Sequence, residues 1–119
     1  MNKINIAEKL ALFNDHWNPR IVAELNGQHV KLVKFQGEFL WHKHDNEDEM
    51  FLVLKGQFKM EYRDKTVVIK ENEFVVVPKG IEHRPVAESE VSVMLIEPAT
   101  TLNTGDKQSE LTRETLERI

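Results

Sequence analysis

Through the middle of the chain, apolar and polar residues alternate with a period of two. Glu49, Phe51 and Val53 fall on one face of a strand, and Gln57–Tyr62, Thr66–Ile69 and Glu73–Val77 are further short runs of strand-like composition. Turn residues separate them: Lys55-Gly56, Arg63-Asp64-Lys65, and the sequence Pro78-Lys79-Gly80. Upstream, Arg20–Leu25 and His29–Phe35 flank Asn26-Gly27, a strong short-range hairpin signal. Downstream, Glu90–Ile96 is the last strand-like run. Short strands about ten residues apart predict an all-β sandwich or closed barrel. Before them, Asn5-Ile6-Ala7-Glu8 fits a capping box, and Ile6, Leu10 and Phe13 recur at helical spacing, which predicts a helix over about 6–14 lying across one end of the barrel. After Pro98, Thr101–Asp106 reads as an irregular crossover and Ser109–Ile119 as a short charged helix, a strap over the barrel or a subunit contact.

Composition narrows the partners. The 119 residues suit one domain, able to bury roughly two-thirds of its unfolded surface. Sixteen basic residues against twenty acidic ones give a net charge of −4 without a Lys/Arg block, which argues against nucleic acid and anionic membranes as partners. A DNA-binding helix-turn-helix has no room beside the barrel. The absence of cysteine excludes disulfides, thiolate catalysis and cysteine-ligated zinc. Residues 1–8 lack the apolar core of a signal peptide and the apolar runs are too short to span a bilayer, so the expected location is the cytoplasm.

The chemistry lies in His42-Lys43-His44, Glu49 and His83. Histidines two apart on a strand point to one face, leaving Trp41 and Lys43 on the other. The acidic turn Asp45–Asp48 is long enough to bring Glu49 back to them, and Pro78 with Gly80 reverses the chain to deliver His83. Three imidazoles and a carboxylate supply four lone-pair donors for one divalent metal. Glu49 shares its face with Phe51 and Val53, where an uncompensated carboxylate would be costly to bury; a cation offsets that cost. His16 and His29 lie outside the set and read as surface or interfacial residues. Phe39, Trp41, Phe51, Phe58, Phe74 and Met94 are candidates for core or pocket lining, Tyr62 reads as packing, and Glu82 and Arg84 should point away from the side His83 uses.

The complete spacing resembles the two motifs of the cupin family, G-x5-H-x-H-x3–4-E-x6-G and G-x5-P-x-G-x2-H-x3-N. His42, His44, Glu49 and His83 fall on its four metal positions, and Gly37, Gly56, Pro78 and Gly80 on its turn positions. Three positions depart from the pattern without removing a ligand. Gly37 is one residue too close to His42, Asn72 replaces a glycine, which asparagine can do in a left-handed turn, and Ala87 replaces the closing asparagine. The resemblance implies a double-stranded β-helix, or jelly roll, with residues 1–119 as a single cupin domain and the barrel over about 20–98, flanked by the N-terminal helix and a tail over 99–119. It also implies one divalent transition metal ion, with iron, manganese, zinc, nickel and copper all suited to this donor set.

Three functions remain open on these residues. One is a metal-dependent enzyme that chelates a small polar metabolite, with isomerase- or dioxygenase-like chemistry; no catalytic acid or base can be named. Another is a non-catalytic small-molecule binder or sensor using the same pocket. The third is a metal that mainly staples the barrel. A homodimer is expected, with Val30–Phe35 as the contact strand.

Overall fold

The structure, a computed structural model, describes residues 2–119. One short helix, α1 (Ile6–Leu10), precedes seven strands: β1 (Arg20–Leu25), β2 (Gln28–Glu38), β3 (Glu49–Lys55), β4 (Gln57–Tyr62), β5 (Thr66–Lys70), β6 (Phe74–Val77) and β7 (His83–Pro98). Asn26 and Gly27 both take positive φ and close the β1–β2 hairpin, as the sequence predicts. The strands hydrogen-bond in the order β1-β2-β7-β3-β6, and β4 joins β7 to β5, all antiparallel. This is a jelly roll.

β7 ties the two halves together. The sequence predicts a strand of seven residues, Glu90–Ile96; the observed strand has sixteen. Its first part pairs with β4 from Tyr62↔His83 to Lys59↔Val86, and its last part with β3 from Lys55↔Ser92 to Met50↔Ile96. β2 runs beside almost all of it, from Gln28↔Pro98 to Glu38↔Val86, with an irregularity between Phe35 and Gly37. The exposed Glu88-Ser89-Glu90, with no apolar side to bury, hides the continuity of the strand from any reading based on periodicity.

Alternation sorts the side chains. Val33, Phe35, Phe51, Val53, Phe58, Met60, Ile69, Val77, Val91, Val93 and Leu95 fill the interior. Phe35 meets Phe58 edge-on at 5.5 Å between ring centroids. Of the run Val30–Phe35, Lys31, Val33 and Phe35 alternate inward and Leu32 is buried as well, which leaves Val30 and Lys34 partly exposed. Phe74, expected in the core, is 62% exposed, and Met94 is only partly buried.

Both ends of the chain depart from expectation. Asn5 caps α1 by accepting the Glu8 amide at 3.0 Å, yet the helix stops at Leu10 and does not reach residue 14. The Lys34 ammonium donates to the Leu10 and Phe13 carbonyls at 2.9 and 2.7 Å, satisfying acceptors that a longer helix would use. Ser109–Ile119 forms no helix. The Ser109 amide donates to Thr112 Oγ1 and the Leu111 amide to Ser109 Oγ, both at 3.0 Å, and such local side-chain bonds compete with helical ones. The tail instead runs along β1: Ile21 N donates to the Glu117 carbonyl at 2.9 Å and Ile119 N to the Ile21 carbonyl at 3.0 Å.

Candidate metal centre

Backbone pairing brings His42 and His83 together first. Each donates its amide to the other's carbonyl, at 3.1 and 2.9 Å, in an isolated antiparallel bridge. His44 lies in irregular backbone just beyond the bridge, where the sequence predicts a strand. Its carbonyl accepts the Gly80 amide at 2.7 Å, and Asp48 Oδ1 accepts the Lys79 amide at 2.8 Å, so the Pro78-Lys79-Gly80 turn is tied to the acidic turn facing it. Glu49 opens β3 and pairs with Val77, the last residue of β6. Asn72, at the position the cupin pattern gives to glycine, has a φ of +66°.

One potential ligand atom from each of His42, His44, Glu49 and His83 lies within 4.8 Å of all the others. The four side chains are buried, with exposures of 2%, 3%, 4% and 0%. His44 Nε2 is 2.9 Å and His83 Nε2 3.2 Å from Glu49 Oε1, but none of these three atoms has a hydrogen-bond partner of good geometry. Nδ1 of His42 donates to the Leu40 carbonyl and Nδ1 of His83 to the Ile81 carbonyl, each at 2.9 Å. Those bonds fix the rings and leave both Nε2 lone pairs aimed inward, the arrangement usual for metal-bound histidine. Buried polar atoms without partners are expensive, and a cation at their centre would satisfy all of them. The donor set therefore fits a divalent metal ion.

Electrostatics point the same way. Burial, aided by the nearby His83, lowers the His42 pKa to about 4, so the ring is neutral near pH 7. Burial alone would raise Glu49, but the close approach of His44, His83 and Glu97 to its carboxylate outweighs it and holds the carboxyl well below its ordinary range. An ionised carboxylate among imidazole lone pairs is a cation site.

Behind the cluster stands a buried pair absent from the sequence reading. Lys31 Nζ donates to Glu97 Oε1 at 2.7 Å, and each side chain is 2% exposed. Met50 pairs with Ile96, so one residue along the antiparallel ladder Glu97 lies opposite Glu49. Burial first, then the charge of Glu49, push the Glu97 carboxyl well above its ordinary range, while Lys31 opposes the shift. The signal was present in the sequence: Lys31 alternates with Val33 and Phe35, and Glu97 with Leu95 and Val93, placing opposite charges on inward positions.

A cavity with about 30 Å³ of free space opens beside the cluster, room for about two water molecules. His42, Glu49, Glu97 and Asn103 supply its polar side, and Trp17, Phe35, Phe39, Phe51 and Leu95 are among its apolar walls. Trp17 also escapes the sequence reading. It has a φ of +59°, uncommon for an aromatic residue, and is held by stacking on Phe35 and Phe39 at 4.4 and 4.9 Å and by an indole bond to the Gln36 carbonyl. Trp41 lies elsewhere, beneath the guanidinium of Arg63 at 3.9 Å, with Arg84 nearby. Arg84 pairs with Glu61 and Glu38, and Glu82 with Arg63, so neither enters the cluster. His16 meets Glu90 at 2.8 Å, and His29, although buried, faces Glu24 at 3.7 Å; both remain apart from the four.

A jelly roll that gathers three histidines and a glutamate at these positions belongs to a recognisable class. The family model described as the cupin domain matches residues 28–97, and the chain belongs to that family. It is similar to a solved cupin-2 domain-containing protein from Shewanella frigidimarina, 46% identical over 80% of this chain and 93% of that one, with a TM-score of 0.79. It is also similar to protein NMB1881 from Neisseria meningitidis, 33% identical over 82% of this chain and all of that one, with a TM-score of 0.76. A curated relative, the uncharacterized protein YdbB of Bacillus subtilis, is 42% identical over 64 residues, so the alignment spans 53% of this chain and 57% of that protein. No helix among the described residues is long and apolar enough to cross a membrane.

Proposed function

We propose that this cupin binds one divalent transition metal ion through His42, His44, Glu49 and His83 and acts on a small ligand that chelates the ion through oxygen. The observation that carries this reading is the convergence of buried, unpartnered His44 Nε2, His83 Nε2 and Glu49 Oε1 on one point. A bound ion that accepts six donors would keep two positions for the ligand and supply Lewis acidity there. The chain's own residues do the rest. The carbonyls of Leu40 and Ile81 hold two rings in place, and Glu97 faces the carboxylate ligand from behind. Trp17, Phe35 and Phe39 wall the small cavity beside the cluster with apolar surface.

The test is elemental analysis of untagged protein that has never met a chelator, with His42→Ala and His83→Ala alongside. About one equivalent of a transition metal in the native protein, lost in both variants, is the expected result. No metal in the native protein even after reloading would overturn the reading. Isomerase- or dioxygenase-like turnover is then distinguished from simple binding by whether a ligand that binds is consumed.

The chain is further proposed to pair with a second copy of itself. Support comes from the outer face of the β2-β7-β3-β6 sheet, where Met94 and Leu52, Ile96 and Met50, Leu52 and Phe74, and Met50 and Val76 are cross-strand neighbours. These residues are partly buried or exposed, and together they leave an apolar surface on one side of the molecule.

A further inference from the structure

A second cavity lies between the barrel and the C-terminal tail and shares no lining residue with the cavity beside the histidines. Its volume is about 290 Å³. β1 and β2 contribute Ile21, His29 and Lys31, the segment after β7 contributes Thr101, and the tail contributes Arg113 and Arg118. Two buried polar atoms in its wall, Thr101 Oγ1 and Arg113 Nε, have no hydrogen-bond partner. Thr101 is only 8% exposed. The other basic side chains of the wall have partners: Lys31 bonds to Glu97, His29 faces Glu24, and Arg118 reaches the same Glu24 at 4.0 Å. Among the described residues, the Arg113 side chain has neither an ion pair nor a hydrogen bond.

Arg113 is nonetheless held in place. Its backbone amide donates to Asn103 Oδ1 at 2.8 Å, Asn103 Nδ2 donates to the Leu111 carbonyl at 2.9 Å, and Thr104 and Thr112 share a hydroxyl bond at 2.7 Å. Thr104 is fully buried. The tail is thus pinned to the crossover at the arginine's own amide and at the two residues before it, while its guanidinium is left free. A planar, always-charged fork and a buried hydroxyl, both unsatisfied in one cavity, form a donor set for an anion. Glu114 is the acidic residue in the wall, outnumbered by Lys31, Arg113 and Arg118 in a chain whose net charge is −4.

We propose that this cavity is a second ligand site, taking a small oxyanion, carboxylate or phosphate, on the Arg113 guanidinium and the Thr101 hydroxyl. The site is independent of any ion at the histidine cluster.

The test is calorimetric titration of metal-free protein at low salt with inorganic phosphate and, separately, acetate, using Arg113→Gln, Arg113→Lys, Thr101→Val and His83→Ala variants. Saturable one-to-one binding of at least one anion is expected, weakened tenfold or more by R113Q, less by R113K, which keeps the charge but loses the fork, and severalfold by T101V. Binding should persist in H83A. The preferred anion tells the two sources apart. The side chains altered at 113 and 101 make no hydrogen bond in the structure, so these variants should fold, and an unchanged circular dichroism spectrum checks that they do. Absence of saturable binding by both anions overturns the proposal. So does binding that survives R113Q intact, or binding lost in H83A, which would place the anion at the histidines.

Discussion

Gly105 acts on the histidine cluster through the side chain it lacks. A Cβ there would lie 2.1 Å from the Lys43 carbonyl oxygen and 3.2 Å from the His42 ring, and its φ of +57° is left-handed. Its neighbour Asp106 binds Lys43 twice, accepting the Lys43 amide on Oδ1 and donating its own amide to the Lys43 carbonyl, both at 3.0 Å. Gly105→Ala should therefore cost more than the roughly 1–2 kcal/mol of handedness alone, and should weaken metal uptake; urea unfolding and metal titration would show both. Lys31 and Glu97 give a sharper contrast. Burial and the charge of Glu49 favour the protonated form of Glu97, so Glu97→Gln, which puts an amide in place of that acid, should cost about 1 kcal/mol. Lys31→Met removes the ammonium from a buried polar array and should cost about 3–5 kcal/mol. Equal costs would mean that Glu97 is ionised. His42 sets a pH dependence for the metal-free protein. Its folded pKa of about 4 lies below the ordinary histidine value of 6.5, so the unfolded chain binds the proton first as the pH falls. Stability should decline from about pH 6.5 down to pH 4, by at most about 3 kcal/mol from this residue, and His42→Gln should flatten that part of the curve. The four cluster residues were legible because their spacing is local and their chemistry distinctive. Gly105 and Trp17 were not, since each acts through a close approach from a segment distant in sequence.

At the scale of elements, the strands could be read wherever one face was apolar. β1, β3, β4, β5 and β6 all lie where alternation and turn residues put them, to within a residue, while β2 runs three residues past the expected Phe35 to Glu38. β7 was legible only in its second half, because Glu88–Glu90 interrupts the pattern while backbone pairing to β2 resumes on both sides. The helix expected at Ser109–Ile119 failed for a different reason: hydroxyls at 109 and 112 offered the backbone local bonds, and β1 offered an edge. The tail does structural work in its extended form. Removing residues 109–119 would strip Ile21 N of its acceptor, Thr104 of Thr112 and Asn103 of both its partners. Such a truncation should lower the melting temperature by several degrees, as expected for a loss of about 1–2 kcal/mol in a domain of this size, and should speed hydrogen exchange at Ile21. Unchanged exchange there would show that the tail does not hold the β1 edge in solution.

For the whole molecule, the proposed pairing of two copies rests on the apolar outer face of the sheet. Introducing a charge at its centre, as in Leu52→Glu or Met94→Glu, should convert a sedimenting dimer to a monomer without removing metal, because Phe51 and Leu95 beside them face the opposite way. A native protein that sediments as one chain at micromolar concentration would overturn the pairing. The family and the jelly roll were legible from one short stretch of sequence because four ligands and their turns pin the strands that carry them. The barrel's closure was not, since it depends on which distant strands share an edge. That closure has a consequence for synthesis. β7 supplies partners to β2, β3 and β4, and it leaves the ribosome after the other six strands. Until it emerges, the earlier strands carry open edges and an uncovered interior, a long-range topology that is slow to fold and exposed to aggregation while it waits. A nascent chain therefore holds His42, His44 and Glu49 well before it holds the strand, opened by His83, that gathers them into one place.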